Sequence, residues 1–336
     1  MTEPAQSLTL TGIGASQAAA AVGLDPWTAP ITLYERLTGI ELDDREETAA
    51  LRWGKLLEQP IRKAYVETTG RVVHVPPESL FHPEHPWRRA TPDGIVLGED
   101  PARRERRWDW GVEIKTAFQF AAHQWGEAGT DDVPIQYWIQ CAWSMHVTDL
   151  DRWDLAALIG GRDFRIYTLR RDREFEDQLV DGVTSFWEDH VLRLVPPPID
   201  HTKAFRSYLE RRFPGTSPYY LPATTESERL ALDIIERRER LAQIKRDDAR
   251  DCNALCAIIG EHAGLETSLG RVHWKPQRPR VITDWKAVAE DLAWRVRMSD
   301  VALATLAAEK SRPAKAARPL RLPRAKGADE DEGGNE

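Results

Sequence analysis

The stretch WDWGVEIKT, residues 108 to 116, constrains this chain more tightly than any other. Side chains of a β-strand alternate between faces, so Val112 and Ile114 anchor one side while Glu113 and Lys115 project together from the other. Such a segment belongs in a sheet with one apolar face to bury. Its second face presents a carboxylate beside an ammonium, and the remaining sequence must be searched for what acts with them.

The segments around it read as alternating elements. Residues 12 to 39 carry two short helical patterns: Ser16 opens an alanine-rich segment that Gly23 closes, and a DPW turn leads into ITLYERLTG. A long helical pattern from about Glu46 to Thr69, ended by Gly70, places Leu51, Leu56, Leu57, Ile61 and Tyr65 at helical spacing and contains Glu58. Residues 71 to 75 and 87 to 97 read as strands, and EDPARRERR turns into the strand of the opening stretch. Asp93, in ATPDG, then stands on a strand neighbouring Glu113. Pro134 is suited to the first position of a helix over IQYWIQCAWSMH, with Gln136 and Gln140 on one face. A hairpin built around Gly160 and Gly161 follows. The next helix, from about Arg173 to Leu194, carries Phe175, Leu179, Val183, Phe186 and His190 on one stripe.

The run Pro196, Pro197, Pro198 closes this unit, which gives a first domain over 1–198. Residues 225 to 260 space Leu230, Ile234, Leu241, Ile244, Cys252, Leu255 and Ile259 among charges, as in a helical hairpin or coiled-coil arm. Short strands near Val272 and Trp274 and a helix from about Asp284 complete an appendage over 199–310. Residues 311–336, basic and then acidic, cannot build a core and are expected to be disordered. The expected fold class is α/β, a mixed central sheet flanked by helices, with an α-rich C-terminal extension.

Bulk properties narrow the function class. No apolar run reaches bilayer length, and the start lacks a basic segment followed by an apolar one, so a cytoplasmic protein with no membrane partner is expected. Cys141, Cys252 and Cys256 form neither an even disulfide framework nor a CxxC pair. A net charge of −8 argues against a wholly basic nucleic-acid coat and leaves room for a locally basic groove.

The chemistry follows from Asp93, Glu113 and Lys115. Two carboxylates on adjacent strands can share a magnesium ion, which takes oxygen ligands and keeps several waters. Bound there, it would offset charge on a phosphodiester and acidify a water, while Lys115 orients that water or stabilises the transition state. An ExK triplet alone is most often a solvated strand face. The order PD, then ExK, then a helix with QxxxQ is far more restrictive.

GASQAAAAVG, LRWGKLLE, ATPDG, GVEIKT and QYWIQCAWSM, in that order, resemble the YqaJ-type viral recombinase nucleases, relatives of phage lambda exonuclease within the PD-(D/E)xK superfamily, over about residues 10 to 195. The resemblance implies a restriction-endonuclease-like core and makes Asp93 and Glu113 metal ligands, with the Ile114 carbonyl a third and Glu58 approaching a second metal. Lys115 becomes the catalytic lysine. Ser16, Thr91 and Gln140 match positions at the terminal 5′ phosphate or scissile region. Alternatively Ser16 is a helix N-cap, Gln140 a helix-surface amide and Glu58 an exposed carboxylate. Leu51 matches a wedge between bases, or is a core leucine. Arg52 is a candidate phosphate contact or an ordinary solvated helix arginine, and Tyr137 a candidate to stack on a base or fill the core, with Trp138 read as core. An arginine that precedes the serine in the lambda enzyme has no counterpart in LTLTGIGAS, which leaves Lys55 or Arg62 to supply the charge.

The implied activity is a magnesium-dependent exonuclease, with manganese able to substitute, resecting duplex DNA ends 5′ to 3′ to leave 3′ overhangs. A single-strand annealing recombinase and a ring-shaped homo-oligomer are implied as partners. The competing readings are an endonuclease or RecB-like nuclease module, and a DNA-binding scaffold with a silent centre.

Overall fold

A computed structural model describes residues 12–40, 48–100, 105–275 and 285–310. The segment expected to be disordered, 311–336, lies outside the described residues. In chain order the elements are β1 (Ile13–Gly14), α1 (Ala15–Ala21), α2 (Pro30–Thr38), α3 (Ala49–Thr69), β2 (Val73–His74), β3 (Leu80–Phe81), β4 (Arg88–Ala90), β5 (Gly94–Asp100) and β6 (Glu105–Ala117). There follow α4 (Ile135–Thr148), β7 (Arg152–Ile159), β8 (Asp163–Arg170), α5 (Arg173–Ser185), α6 (Lys203–Arg212), α7 (Thr225–Ile259), β9 (Gly264–Thr267), β10 (Gly270–His273), α8 (Trp285–Arg295) and α9 (Asp300–Lys310).

The chain divides into two units, residues 1–216 and 217–336. The first therefore continues past the triple proline that was expected to end it at 198. The reason is α6, whose Ala204 and Phe205 are buried in the core. Tyr208 on the same helix donates a 2.7 Å hydrogen bond to Glu35 of α2.

A five-stranded mixed sheet, ordered β2-β5-β6-β7-β8, organises this unit. β6 runs antiparallel to β5 and parallel to β7, the latter by way of α4. A smaller sheet, β1-β4-β3, lies beside it, with β1 parallel to β4. The alternation of β6 separates two cores. Trp110, Val112 and Ile114 pack with Ile61 and Tyr65 of α3. On the other face α1, α2, α4, α5 and α6 enclose Trp153, Leu155, Ile159 and Tyr167. Gly111 is required where β6 passes β7, because a Cβ there would lie 2.3 Å from the Trp153 ring. The register of β5 on β6 shifts once, from Val96↔Trp110 to Leu97↔Trp108, so Asp109 is an extra, bulged residue.

Helix ends follow their capping residues. The Thr48 hydroxyl accepts from the Leu51 N–H at 3.2 Å, and Gly70 closes α3 in the left-handed region at φ 66°. Three expectations need correction. The strand expected over 87–97 is broken at 91–93, where Pro92 has no N–H to donate and the chain crosses between the two sheets. The helix starting at Arg173 passes into a π-helical stretch, Phe186–Leu192, and the wider turn buries Trp187 and Val191 in place of His190. In the second unit, 225–259 is one continuous 35-residue helix, the arm of the two expected alternatives and not the hairpin. It is followed by the antiparallel pair β9 and β10 and by two helices where one was expected. No helix among the described residues is long and apolar enough to cross a membrane.

Candidate active site

β6 aims Glu113 and Lys115 away from the α3 core and toward α4. Glu113 is 3% exposed, and its Oε1 accepts 2.5 Å hydrogen bonds from Lys115 Nζ and from Gln140 Nε2 of α4. Lys115 Nζ also lies 5.4 Å from the centre of the Tyr137 ring, one turn before Gln140. Burial alone would lower the lysine's pKa, but the Glu113 and Asp93 carboxylates outweigh it and hold the ammonium above its ordinary value. Lys115 is thus a fixed cation rather than a proton source.

Asp93 sits at the break before β5, in contact with this strand. Its Oδ2 accepts from the Ile114 N–H at 2.7 Å, which locks the PD turn to the ExK strand. Burial, and then the nearby Glu113 charge, push its pKa up to about 8. Two crowded carboxylates with one lysine between them form a site that favours an added cation.

Among the described residues no group of three Asp, Glu, His or Cys side chains stands close enough to hold a metal ion together. Asp93 and Glu113 nevertheless stand near each other, since the Glu113 charge acts on Asp93 and both act on Lys115. A carboxylate pair of this kind suits magnesium, which binds through one or two carboxylates and completes its shell with water.

Glu58 stands at the edge of this set. It pairs with Arg62 one turn later on α3, and Arg62 Nε donates to the Asp93 carbonyl at 2.8 Å. Arg62 thereby ties the helix carboxylate to the backbone of the PD turn.

A cavity of about 190 Å³ lies beside this cluster, lined by Gly14, Ala15, Ser16, Gln17, Arg89, Thr91 and Gln140. Ser16, Thr91 and Gln140, named from the sequence, meet here, and Gln140 connects the cavity to Glu113. Ser16 is the second residue of α1, whose N-cap is Gly14, so it is not the cap. The Thr91 hydroxyl lies 2.7 Å from that of Ser79.

Arg89 was missed by the motif reading, and its buried Nε has no hydrogen-bond partner among the described residues. A signal was present in the sequence: Arg89 is two residues before Thr91, the spacing that returns an extended chain to the same face.

The remaining candidates divide. Leu51 is 60% exposed on the first turn of α3, which excludes a core role, and Arg52 and Lys55 are also exposed on that half of the helix. Gly54 places this part of α3 over the end of β6, since a Cβ there would lie 3.8 Å from the Thr116 hydroxyl. Tyr137 is half-buried under Lys115, and Trp138, also half-buried, packs edge-on against Phe175 at 4.9 Å at the margin of the core.

Residues 6–151 match the YqaJ-like viral recombinase domain. The chain is 28% identical to the protein YqaJ of Bacillus subtilis (strain 168) over 235 residues, 69% of this chain and 67% of that one. Among solved structures it is similar to the alkaline exonuclease LHK-Exo from Laribacter hongkongensis, at 18% identity and a TM-score of 0.43, covering 60% of this chain and 93% of that one. A phage-related exonuclease from Haemophilus somnus 129PT is similar at 15% identity and a TM-score of 0.36, covering 60% and 96%.

Proposed function

We propose, on the match of residues 6–151 to the YqaJ-like viral recombinase domain, that the protein is a magnesium-dependent exonuclease acting on ends of duplex DNA. It resects 5′ to 3′ and leaves 3′ overhangs for a single-strand annealing recombinase. The observation that carries this reading is the junction of the Asp93, Glu113 and Lys115 cluster with the Arg89 cavity through Gln140. A hydrolytic centre and an anion pocket share one side chain, as an enzyme that measures its cut from a terminal phosphate requires.

Each residue has a definite task. Asp93, Glu113 and the Ile114 carbonyl would hold magnesium, or manganese in its place, which when bound would supply positive charge at the scissile phosphate and make water there more acidic. Glu58, held by Arg62, lies next to that set. Lys115, kept charged by its carboxylate neighbours, donates to the attacking water or to the phosphoryl oxygen that gains charge. Gln140 keeps Glu113 oriented while facing the cavity. Arg89, Ser16 and Thr91 receive the terminal 5′ phosphate, with Arg89 in the place of the arginine absent before Ser16. Leu51, exposed on the first turn of α3, parts the terminal base pair, with Arg52 beside it for the backbone. A homo-oligomeric ring around DNA accords with the family reading.

The test is digestion of a linear duplex labelled separately at its 5′ and 3′ ends, with and without 5′ phosphate, in magnesium. Loss from 5′ ends, abolished in Lys115→Ala, is expected, and in Arg89→Ala the preference for a 5′ phosphate should vanish. Nicking of closed circles would favour an endonuclease or RecB-like module. No cutting in magnesium or manganese would leave a DNA-binding scaffold.

A further inference from the structure

Beyond Lys115 the catalytic strand ends in a feature that the hydrolytic centre does not use. Phe118 and Phe120 are 60% and 78% exposed, and their rings stack at 5.3 Å with an interplanar angle of 8°. Two exposed phenylalanines in parallel leave outer faces bare to water, an arrangement that gains nothing for the fold.

The segment is nevertheless held firmly. The Gly160 N–H donates to the Ala117 carbonyl at 2.8 Å. A Cβ at Gly160 would come within 2.2 Å of Gln119 Oε1, so the turn after β7 closes directly on this segment. His123 Nδ1 donates to the Phe120 carbonyl at 2.9 Å.

We propose that Phe118 and Phe120 form a stacking platform for unpaired DNA bases beside the reaction centre. The proposal rests on the nuclease reading given above. Three arguments select this occupant. Aromatic faces stack on bases of any sequence, as a non-specific end-processing enzyme needs. The chain between Glu113 and Glu127 contains no acidic residue and includes Lys115 and His123, so a phosphate backbone meets no repulsion from it. Phe118 is three residues past Lys115, roughly 10 Å along an extended chain, and two past Thr116, against which Gly54 of α3 lies one turn from Leu51. A base freed at Leu51 therefore emerges next to the two rings.

The experiment measures fluorescence anisotropy of a labelled duplex with a short unpaired tail, in calcium, with thymine or abasic sugar at the tail positions. The full chain is compared with Phe118→Ser/Phe120→Ser and with Phe118→Tyr/Phe120→Tyr. The serine variant is expected to bind the thymine tail roughly 5- to 100-fold more weakly and the abasic tail as the parent does, while the tyrosine variant keeps the parent's affinity. Equal losses on both tails, or none on thymine, would overturn the platform. Cleavage of linear duplex by the parent chain is scored separately. Base-dependent binding without cleavage would sink the nuclease reading alone, and cleavage without base dependence would sink the platform alone.

Discussion

Replacing Tyr65 with phenylalanine tests how α3 is fastened to the sheet. Tyr65 is fully buried, and its hydroxyl donates to Asp154 Oδ2 at 2.6 Å while accepting from the Trp110 indole at 3.1 Å. Arg152 grips both oxygens of Asp154 at 2.9 and 3.0 Å, and the Thr168 hydroxyl donates to Oδ1 at 3.0 Å. Tyr65→Phe removes a hydrogen bond to a carboxylate, a loss of about 1.5–3 kcal/mol, and leaves the buried Trp110 N–H without an acceptor, a further ~1–3 kcal/mol. Asp154 keeps Arg152 and Thr168, so no charge is stranded and the larger penalty of a broken buried ion pair does not apply. A net loss of roughly 3 kcal/mol in a unit of this size lowers Tm by about 6–12 °C. The assay is thermal unfolding by circular dichroism of Tyr65→Phe, Asp154→Asn and the double variant. A Tm change under about 2 °C for Tyr65→Phe, or two single losses that simply add, would refute the latch.

Lys115→Ala should lower turnover by roughly a hundred- to a thousand-fold while DNA affinity in calcium is unchanged, because the side chain acts chiefly in the transition state; full turnover would remove it from the mechanism. Asp93→Asn should abolish activity together with magnesium dependence, and full activity in magnesium would place the metal elsewhere. Arg62→Met frees Glu58 and the PD turn, so calcium binding measured by calorimetry should weaken about 10- to 100-fold; unchanged affinity would deny Arg62 its positioning role. Stability should also fall in acid. Burial lowers the pKa values of His146 and His82. His146 Nε2 must accept from the Arg88 guanidinium at 3.1 Å, leaving Nδ1–H to donate to Glu176 at 3.2 Å. Burial would raise the Glu176 pKa, but its Arg171 and His146 hydrogen bonds lower it overall. All three folded-state values lie below their unfolded ones, so the stabilisation is complete above about pH 6.5 and fades first through the histidines, then below about 4.5 through Glu176. His146→Gln should flatten the first limb of Tm against pH, and an unaltered limb would clear this histidine.

What could be read from the sequence was local and periodic. The two-residue alternation of WDWGVEIKT placed β6 and the partition of its side chains. The spacing of Ile61 and Tyr65, with Gly70 at the C-terminal end, defined the body of α3. Non-local pairing was not legible: that β6 runs parallel to β7, or that β1 pairs with β4, depends on surfaces meeting across the fold. Arg62 shows the same limit, since its bond to Glu58 is an i,i+4 pair visible in sequence and its bond to the Asp93 carbonyl is not. Arg89 could have been found from its parity with Thr91 but lay outside the motifs. The π-helical stretch gives no compositional sign, because inserting one residue into a turn changes the buried stripe without changing which residues are apolar.

The bulge at Asp109 makes the hairpin of β5 and β6 tolerant of changes in length at one end only. From Gly94↔Val112 to Val96↔Trp110 the pairing is pinned by the α3 core, and a residue inserted there would exchange the reactive face of β6 for its apolar one. Beyond Asp109 the pairing has already slipped once, so residues gained or lost toward the turn leave Glu113 and Lys115 facing as they do. The outer hairpin is therefore the place for a grafted peptide or a fluorescent tag, and the place where descendants of this chain can lengthen without losing their chemistry.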